Sequence, residues 1–279
     1  MEKVFLNDKI INATDARVPV TDSGFLYGMG LFETLRCTNG KVFAIEDHLE
    51  RLFNSAQELS INNPYEKGYI TDAINQTLAA NNLTDARLRL TLTNGAMFDT
   101  EQPGPTLLIT ATDLVPYPPE FYQKGVTVVL TDYRQNAYDA LTVHKTTNYF
   151  SRLLELNRAH QKKAAEALWF TTENHLAEGC VSNVFLVKDS VVYTPPIDTP
   201  VLPGIMRKTV LEVAQKGSVE LIEKGLVISD LLSADEVFLT NIIMTILPVV
   251  GIEAHTVGDG KPGEITEKLM NYLNEVLLK

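Results

Sequence analysis

Apolar positions along the chain alternate between two spacings, and the switches between them mark out the elements. Val4 to Ile11 reads as two short strands around Asn7-Asp8, a hairpin signal. Phe25 to Arg36 alternates loosely and predicts a strand, Asn39-Gly40 a turn, and Lys41 to Ile45 a return strand. Asp47 is placed to cap a helix whose Leu49, Leu52, Phe53, Ala56 and Leu59 share one face at helical spacing. Asn63-Pro64 breaks that helix, and residues 65–82 predict a second one, ended by Asn81-Asn82. Arg87 to Thr93 alternates strictly, and Thr106 to Thr112 predicts another strand.

Beyond a proline-rich stretch the same reading predicts a strand at Val126 to Leu130 and a helix at Tyr149 to Ala164. Strands follow at Ala167 to Thr171, Val181 to Val187 and Val191 to Tyr193. A helix runs from Ile205 to about Gln215 after Pro203-Gly204. A strand at Glu236 to Thr240 and an amphipathic helix from Gly263 to Leu278 complete the pattern. The class is α+β. Three prolines in Leu114 to Glu120 suggest a stiff connector, so the expected organisation is a small N-terminal domain at 1–113, a linker at 114–120 and a larger domain at 121–279.

Composition narrows the function classes. The chain has 279 residues and a net charge of −11, which argues against non-specific nucleic-acid binding and against docking on anionic membranes. Two widely spaced cysteines, Cys37 and Cys180, make neither a disulfide framework nor a zinc signature. The first residues lack the order of a signal peptide, and the longest mostly apolar run, Val237 to Ile252, is too short and too polar to span a bilayer. A cytoplasmic protein is expected.

The residues that could carry chemistry are few. Lys145 lies among β-branched and small polar residues between a strand and a helix, where an amine can serve as a Schiff-base lysine; taken alone it also fits a surface lysine. Glu178 directly precedes an apolar strand, and it reads as a turn residue or as the acid partner of a pyridinium nitrogen. Leu202-Pro203-Gly204-Ile205-Met206-Arg207 runs into a helix whose first amides could bind phosphate. Arg51 points away from the apolar stripe of its helix, toward solvent or toward a phosphate. Arg87 and Arg89 share one face of a strand and could hold a carboxylate. The five histidines show no metal-ligand spacing, so no metal is expected.

Taken together and in order, these segments resemble the class IV aminotransferase family, the fold-type IV enzymes that use pyridoxal 5'-phosphate (PLP). The matching runs are DSGFLYGMGLFETLR at 22–36, DHLERLFNSA at 47–56, HKTTNYF at 144–150, EGCVSNVF at 178–185, LPGIMRK at 202–208 and ADEVFLTN at 234–241. They span essentially the whole chain. The resemblance implies a two-domain α+β fold in which a smaller N-terminal domain precedes a larger β-rich domain with flanking helices. It implies that Lys145 holds PLP covalently and moves protons at the substrate carbon, and that Glu178 faces the pyridinium nitrogen. It further implies that Arg51, the amides of Ile205 and Met206, and the Asn241-Ile242 turn bind the phosphate. Tyr149 is expected to reach the phenolic oxygen, and Tyr27, Phe32, Arg87 and Arg89 to line the substrate pocket. The family also implies a homodimer whose site lies between the domains and is completed by the partner chain.

Within the family, Phe32-Glu33-Thr34, Gly204-Ile205-Met206-Arg207 and Asn241 after Thr240 look like 4-amino-4-deoxychorismate lyases, which release pyruvate and form p-aminobenzoate for folate synthesis. Lys145-Thr146-Thr147-Asn148-Tyr149 is one residue shorter than the usual branched-chain pattern. Asn94 to Asp99 lacks the Arg-x-His carboxylate trap typical of D-amino-acid transaminases. The first expectation is therefore the lyase. The alternative is a transaminase acting on an amino acid, branched-chain or D-, or on an amine.

Overall fold

The computed structural model describes residues 2–96 and 104–277. They form two compact units, one of residues 1–115 together with 144–148, the other of 116–143 together with 149–279. The first crossing falls inside the proline-rich stretch. Residues 144–148, which the sequence reading assigned to the second part, belong to the first.

The first unit is built on an antiparallel sheet. Its strands are β1 (Lys3–Leu6), β2 (Lys9–Asn12), β3 (Gly30–Thr38), β4 (Lys41–Val42), β5 (Ala86–Thr93) and β6 (Leu107–Asp113), in the order β2-β1-β6-β5-β3-β4. Helices α1 (Ser23–Tyr27), α2 (Ile45–Glu58) and α3 (Lys67–Asn81) complete it. Leu88, Leu90 and Leu92 of β5 are fully buried, with Leu31 and Leu35 of β3 beside them. Leu49 and Leu52 of α2 and Ile70 and Ile74 of α3 cover this face. Period-2 leucines meeting period-3.6 apolar stripes make the core.

The second unit holds α4 (Pro119–Lys124), β7 (Val126–Gln135), α5 (Phe150–Gln161), β8 (Glu166–Thr171), β9 (Leu176–Gly179), β10 (Asn183–Lys188) and β11 (Val191–Thr194). It continues with α6 (Ile205–Lys216), β12 (Leu221–Glu223), α7 (Ile228–Leu232), β13 (Glu236–Asn241), β14 (Thr245–Ile252), β15 (His255–Thr256) and α8 (Glu264–Leu277). The sheet order is β12-β11-β10-β13-β14-β7-β8-β9, with β15 on β14. Pairs β11–β12, β14–β7 and β7–β8 are parallel and the others antiparallel. The parallel pair β7–β8 requires a crossover, and α5 supplies it. Val184, Leu186, Leu239, Leu247 and Val249 lie at the centre of the core.

Four expectations change. Phe25 to Arg36 is not one strand, because α1 precedes β3: Asp22 accepts from the amides of Gly24 and Phe25, and Gly28 ends the helix with φ 71°. A five-residue helix is too short for periodicity to reveal. Asp47 does not cap α2, which begins at Ile45 after Ala44; Asp47 sits in the first turn, where its charge still suits the helix dipole. Helix α5 stops at Gln161, short of Ala164, and Lys163 follows in the left-handed region with φ 61°. The strand expected from Val181 starts at Asn183, and Glu178 lies on a strand of its own, β9. Among the described residues no helix is long and apolar enough to cross a membrane.

Candidate active site

In the first unit, residues 144–148 run beside the start of β3. The Phe32 amide donates to Lys145 O at 2.9 Å, the Thr147 amide to Gly30 O at 2.8 Å, and Leu31 bridges Thr146. Thr147 Oγ1 donates to Gly28 O at 2.8 Å. Lys145 is therefore fixed by backbone pairing against the start of β3. Its Nζ stands 4.5 Å from the Phe32 ring centroid, and Arg89 Cζ stands 3.5 Å from the same centroid. Both cations gain from the ring's quadrupole. Lys145, Phe32 and Arg89 thus come together. Arg87 does not join them; it is exposed and lies opposite Arg36. Tyr27 is exposed on α1.

Glu33 follows Phe32 and so faces the other side of the sheet, among the leucines. His48 and Arg51, three residues apart on α2, both reach it. Arg51 Nε donates to Glu33 Oε1 at 2.8 Å and its Nη2 to Oε2 at 2.6 Å, while His48 Nδ1 lies 2.7 Å from Oε2. Burial pushes the Glu33 carboxyl up, but the Arg51 guanidinium and His48 outweigh it and hold the pKa at about 2. Burial, with Arg51 and Lys145 nearby, lowers the His48 pKa against the opposing pull of Glu33. A neutral imidazole that donates Nδ1–H to Glu33 leaves Nε2 as an acceptor, and that buried atom has no partner within the described chain. Arg51 is therefore oriented by Glu33 rather than solvated.

In the second unit Glu178 is buried near the end of β9. Arg152 Nη2 donates to its Oε1 at 2.6 Å, and the Leu202 amide donates to its Oε2 at 3.1 Å. Asn183 Nδ2 lies 3.4 Å from Oε2 and donates to Leu202 O at 3.0 Å. The turn after Glu178 is shaped by a second buried acid. Glu166 of β8 accepts from the amides of Ala167, Cys180 and Val181 and from Ser182 Oγ, at 3.0–3.2 Å. Burial raises its pKa even so. Tyr149 donates its hydroxyl to Cys180 O at 2.9 Å, and burial raises its pKa.

Helix α6 begins at Ile205 with no side chain capping it. The amides of a helix's first turn have no intrahelical acceptor, so those of Ile205 and Met206 are suited to an anion. A Cβ at Gly204 would displace the Asn183 side chain, whose Oδ1 lies in its place. In the turn between β13 and β14, Asn241 Oδ1 accepts from the Ile243 and Met244 amides, both at 2.9 Å, and its Nδ2 donates to Val181 O at 3.1 Å. Asn241 thus ties the turn holding Ile242 to the loop after Glu178. Among the described residues no group of three or more His, Cys, Asp or Glu could hold a metal ion.

Residues 30–252 match the amino-transferase class IV family. The chain belongs to the class IV aminotransferases. Over 99% of its length it is 34% identical to a candidate branched-chain-amino-acid aminotransferase of Methanocaldococcus jannaschii, covering 97% of that protein. It is 32% identical to a D-alanine aminotransferase of Listeria innocua, over 99% of this chain and 96% of that one. Among solved structures, the branched-chain amino acid aminotransferase of Escherichia coli superposes with a TM-score of 0.93 at 26% identity, over 99% of this chain and 94% of that one. A candidate 4-amino-4-deoxychorismate lyase of Legionella pneumophila superposes at 0.84 and 27%, over 94% and 96%.

The cofactor of class IV aminotransferases is PLP. Such a cofactor calls for an amine, an anion for its ring nitrogen and donors for its phosphate. Taken separately, the first unit carries the Lys145 amine and the Arg51 guanidinium, and the second the buried Glu178 carboxylate and the uncapped start of α6, groups whose chemistry fits those needs. The unpartnered His48 Nε2 adds a buried polar atom to the cluster that holds Arg51.

Sequence reasoning missed Glu33, His48, Arg152, Glu166 and Asn183. For His48 and Arg51 the i,i+3 spacing was a usable signal. For Glu33 it was the break in an otherwise apolar strand face. Nothing local marks Arg152, whose partner Glu178 lies 26 positions away, or Glu166, which accepts from Cys180, 14 positions on. Of Asn94 to Asp99, where the Arg-x-His trap of D-amino-acid enzymes would fall, residues 97–99 lie outside the described residues.

Proposed function

We propose that this class IV aminotransferase moves an amino group between an amino acid and a 2-oxo acid. The observation that carries the reading is the placement of Lys145: its backbone is paired to β3 and its amine is held beside Phe32 and Arg89. The full-length similarity to proteins named as branched-chain and D-alanine aminotransferases supports it. Bound PLP supplies an electron sink for the substrate carbon. Lys145 would take the proton from that carbon and deliver it to the cofactor carbon that bears the aldehyde, the shift that amino transfer requires. Glu178 would provide the anion for the ring nitrogen, Tyr149, whose hydroxyl meets Cys180 O, would reach the phenolic oxygen, and Arg51, Ile205, Met206, Asn241 and Ile242 would hold the phosphate. Arg89 and Phe32 orient a substrate carboxylate, with Arg87 farther along the same strand face.

The same reading makes the chain a homodimer. Val20, Phe25, Leu26 and Tyr27 of the first unit are exposed apolar side chains close together in sequence, a surface suited to a second copy. Light scattering should give twice the chain mass, and a monomer that is fully active would remove this element.

A second reading, 4-amino-4-deoxychorismate lyase, is favoured by Phe32-Glu33-Thr34, by Asn241 after Thr240 and by the similarity to the Legionella protein. One experiment separates the two. The PLP-loaded protein is given aminodeoxychorismate without any 2-oxo acid, and separately a panel of D- and L-amino acids with 2-oxoglutarate or pyruvate. Amino transfer with ping-pong kinetics is the expected result. Catalytic release of p-aminobenzoate with equimolar pyruvate, and no transfer, would replace the first reading with the second.

A further inference from the structure

Arg152, in the first turn of α5, is the cation that meets Glu178. It is 16% exposed, and its guanidinium spans three acceptors: Glu178 Oε1 at 2.6 Å, Gly179 O at 3.0 Å and Gln135 Oε1 at 3.2 Å. Two aromatic rings flank it, Trp169 with its centroid 5.5 Å from Cζ and Tyr149 at 6.0 Å. Gln135 in turn donates its amide to Pro200 O. Two residues later the Leu202 amide donates to the other oxygen of Glu178. The hydrogen bonds therefore close a circuit, from Arg152 through Gln135 to the segment that opens α6, then to Glu178 and back to Arg152. A lone salt bridge would leave a carboxylate free to rotate. This circuit fixes both of its oxygens and ties them to the helix start.

We propose that Arg152 is a positioning residue for the cofactor ring: it sets the orientation of Glu178 and locks the carboxylate in register with the start of α6. This rests on the proposed role of Glu178 at the ring nitrogen. A guanidinium is needed because its planar fork serves three acceptors at once, which a lysine ammonium on a flexible stem does less well. Removing it leaves a buried carboxylate with backbone and amide donors but no cation, which frees it to rotate.

The test uses pyridoxamine 5'-phosphate, which binds without a covalent bond, and its analogue with the ring nitrogen replaced by CH. Dissociation constants are measured by fluorescence for the wild type, Arg152→Met, Arg152→Lys, Glu178→Gln and the double variant Arg152→Met/Glu178→Gln. Arg152→Met should weaken pyridoxamine phosphate tenfold or more, and Arg152→Lys should recover part of that loss. The CH analogue should bind wild type and Arg152→Met alike, and Arg152→Met should cost nothing further beside Glu178→Gln. If Arg152→Met does not fold, Arg152→Lys carries the comparison, with an intermediate loss for pyridoxamine phosphate and none for the CH analogue. Unchanged affinity, or equal losses for both ligands, would overturn the proposal and make Arg152 part of the scaffold. If Glu178→Gln itself binds both ligands as the wild type does, the role of Glu178 fails instead. A wild type that binds neither ligand removes the PLP reading itself.

Discussion

Glu33 in the first unit and Glu166 in the second are both almost fully buried carboxylates, and they are driven in opposite directions. Glu33 has a guanidinium and an imidazole on it and is held at about 2; Glu166 has four neutral donors and is raised. Around Glu166 four neutral hydrogen bonds do not offset the loss of water, whereas around Glu33 the Arg51 guanidinium and His48 together do. The chain uses the two solutions for different work. In the first unit the charged pair orients Arg51. In the second the uncharged solution shapes the turn after Glu178, while Glu178 itself is given a cation, Arg152.

The largest expected effect tests what each unit contributes. Lys145→Ala should lower turnover by at least about a thousandfold and remove the absorbance of covalently held PLP, if the amine is, as proposed, both anchor and proton carrier. Pyridoxamine phosphate should still bind, through groups outside Lys145. Loss of both together would mean that residues 144–148 serve the fold of the first unit before they serve chemistry.

Glu33→Gln should destabilise the protein by about 3 kcal/mol in denaturant titration, since it strands Arg51 and His48 without their anion. The wild type should also carry about 3 kcal/mol at neutral pH from the lowered Glu33 value, present above about pH 4 and lost as the pH falls toward about 2. Glu33→Gln should flatten that acid limb. An unchanged limb would show that Glu33 is no more acidic in the fold than in the unfolded chain.

Glu166→Gln should cost less, about 1–3 kcal/mol, because one acceptor oxygen becomes an amide donor facing other donors. Its pH signature runs the other way. A carboxyl with a raised folded value weakens the native state above that value, so its contribution improves as the pH falls. If both variants changed the acid limb in the same sense, the contrast between the two carboxylates would be wrong.

The smallest effect belongs to Arg89→Met. It should raise KM for a substrate with a second carboxylate about tenfold and leave pyridoxamine phosphate affinity unchanged. A variant that loses the cofactor instead would make Arg89 a support for Phe32.

The strand and helix pattern was largely legible. The strict alternation of β5 and the stripe of α2 are direct consequences of burying one face, and both appear where periodicity puts them. What failed to show in local pattern was short or shaped from afar: α1, set by one cap and one glycine, and the turn at 178–182, set by a carboxylate on another strand. Lys145 was legible by motif, but not its position on the edge of β3 in the first unit.

By itself, then, the sequence determined the two sheets' apolar faces, the acidic surface charge, and the family with its candidate lysine, acid and phosphate-binding turn. These depend on residue type and spacing along one strand, helix or loop. Tertiary structure decided which groups meet: Arg51 with Glu33, Arg152 with Glu178, and Glu166 with backbone amides and the Ser182 hydroxyl. The reason is physical. Burial strips water from every such group, so its charge state is set by whichever partner the fold brings within about 3 Å, and that partner is usually distant in sequence.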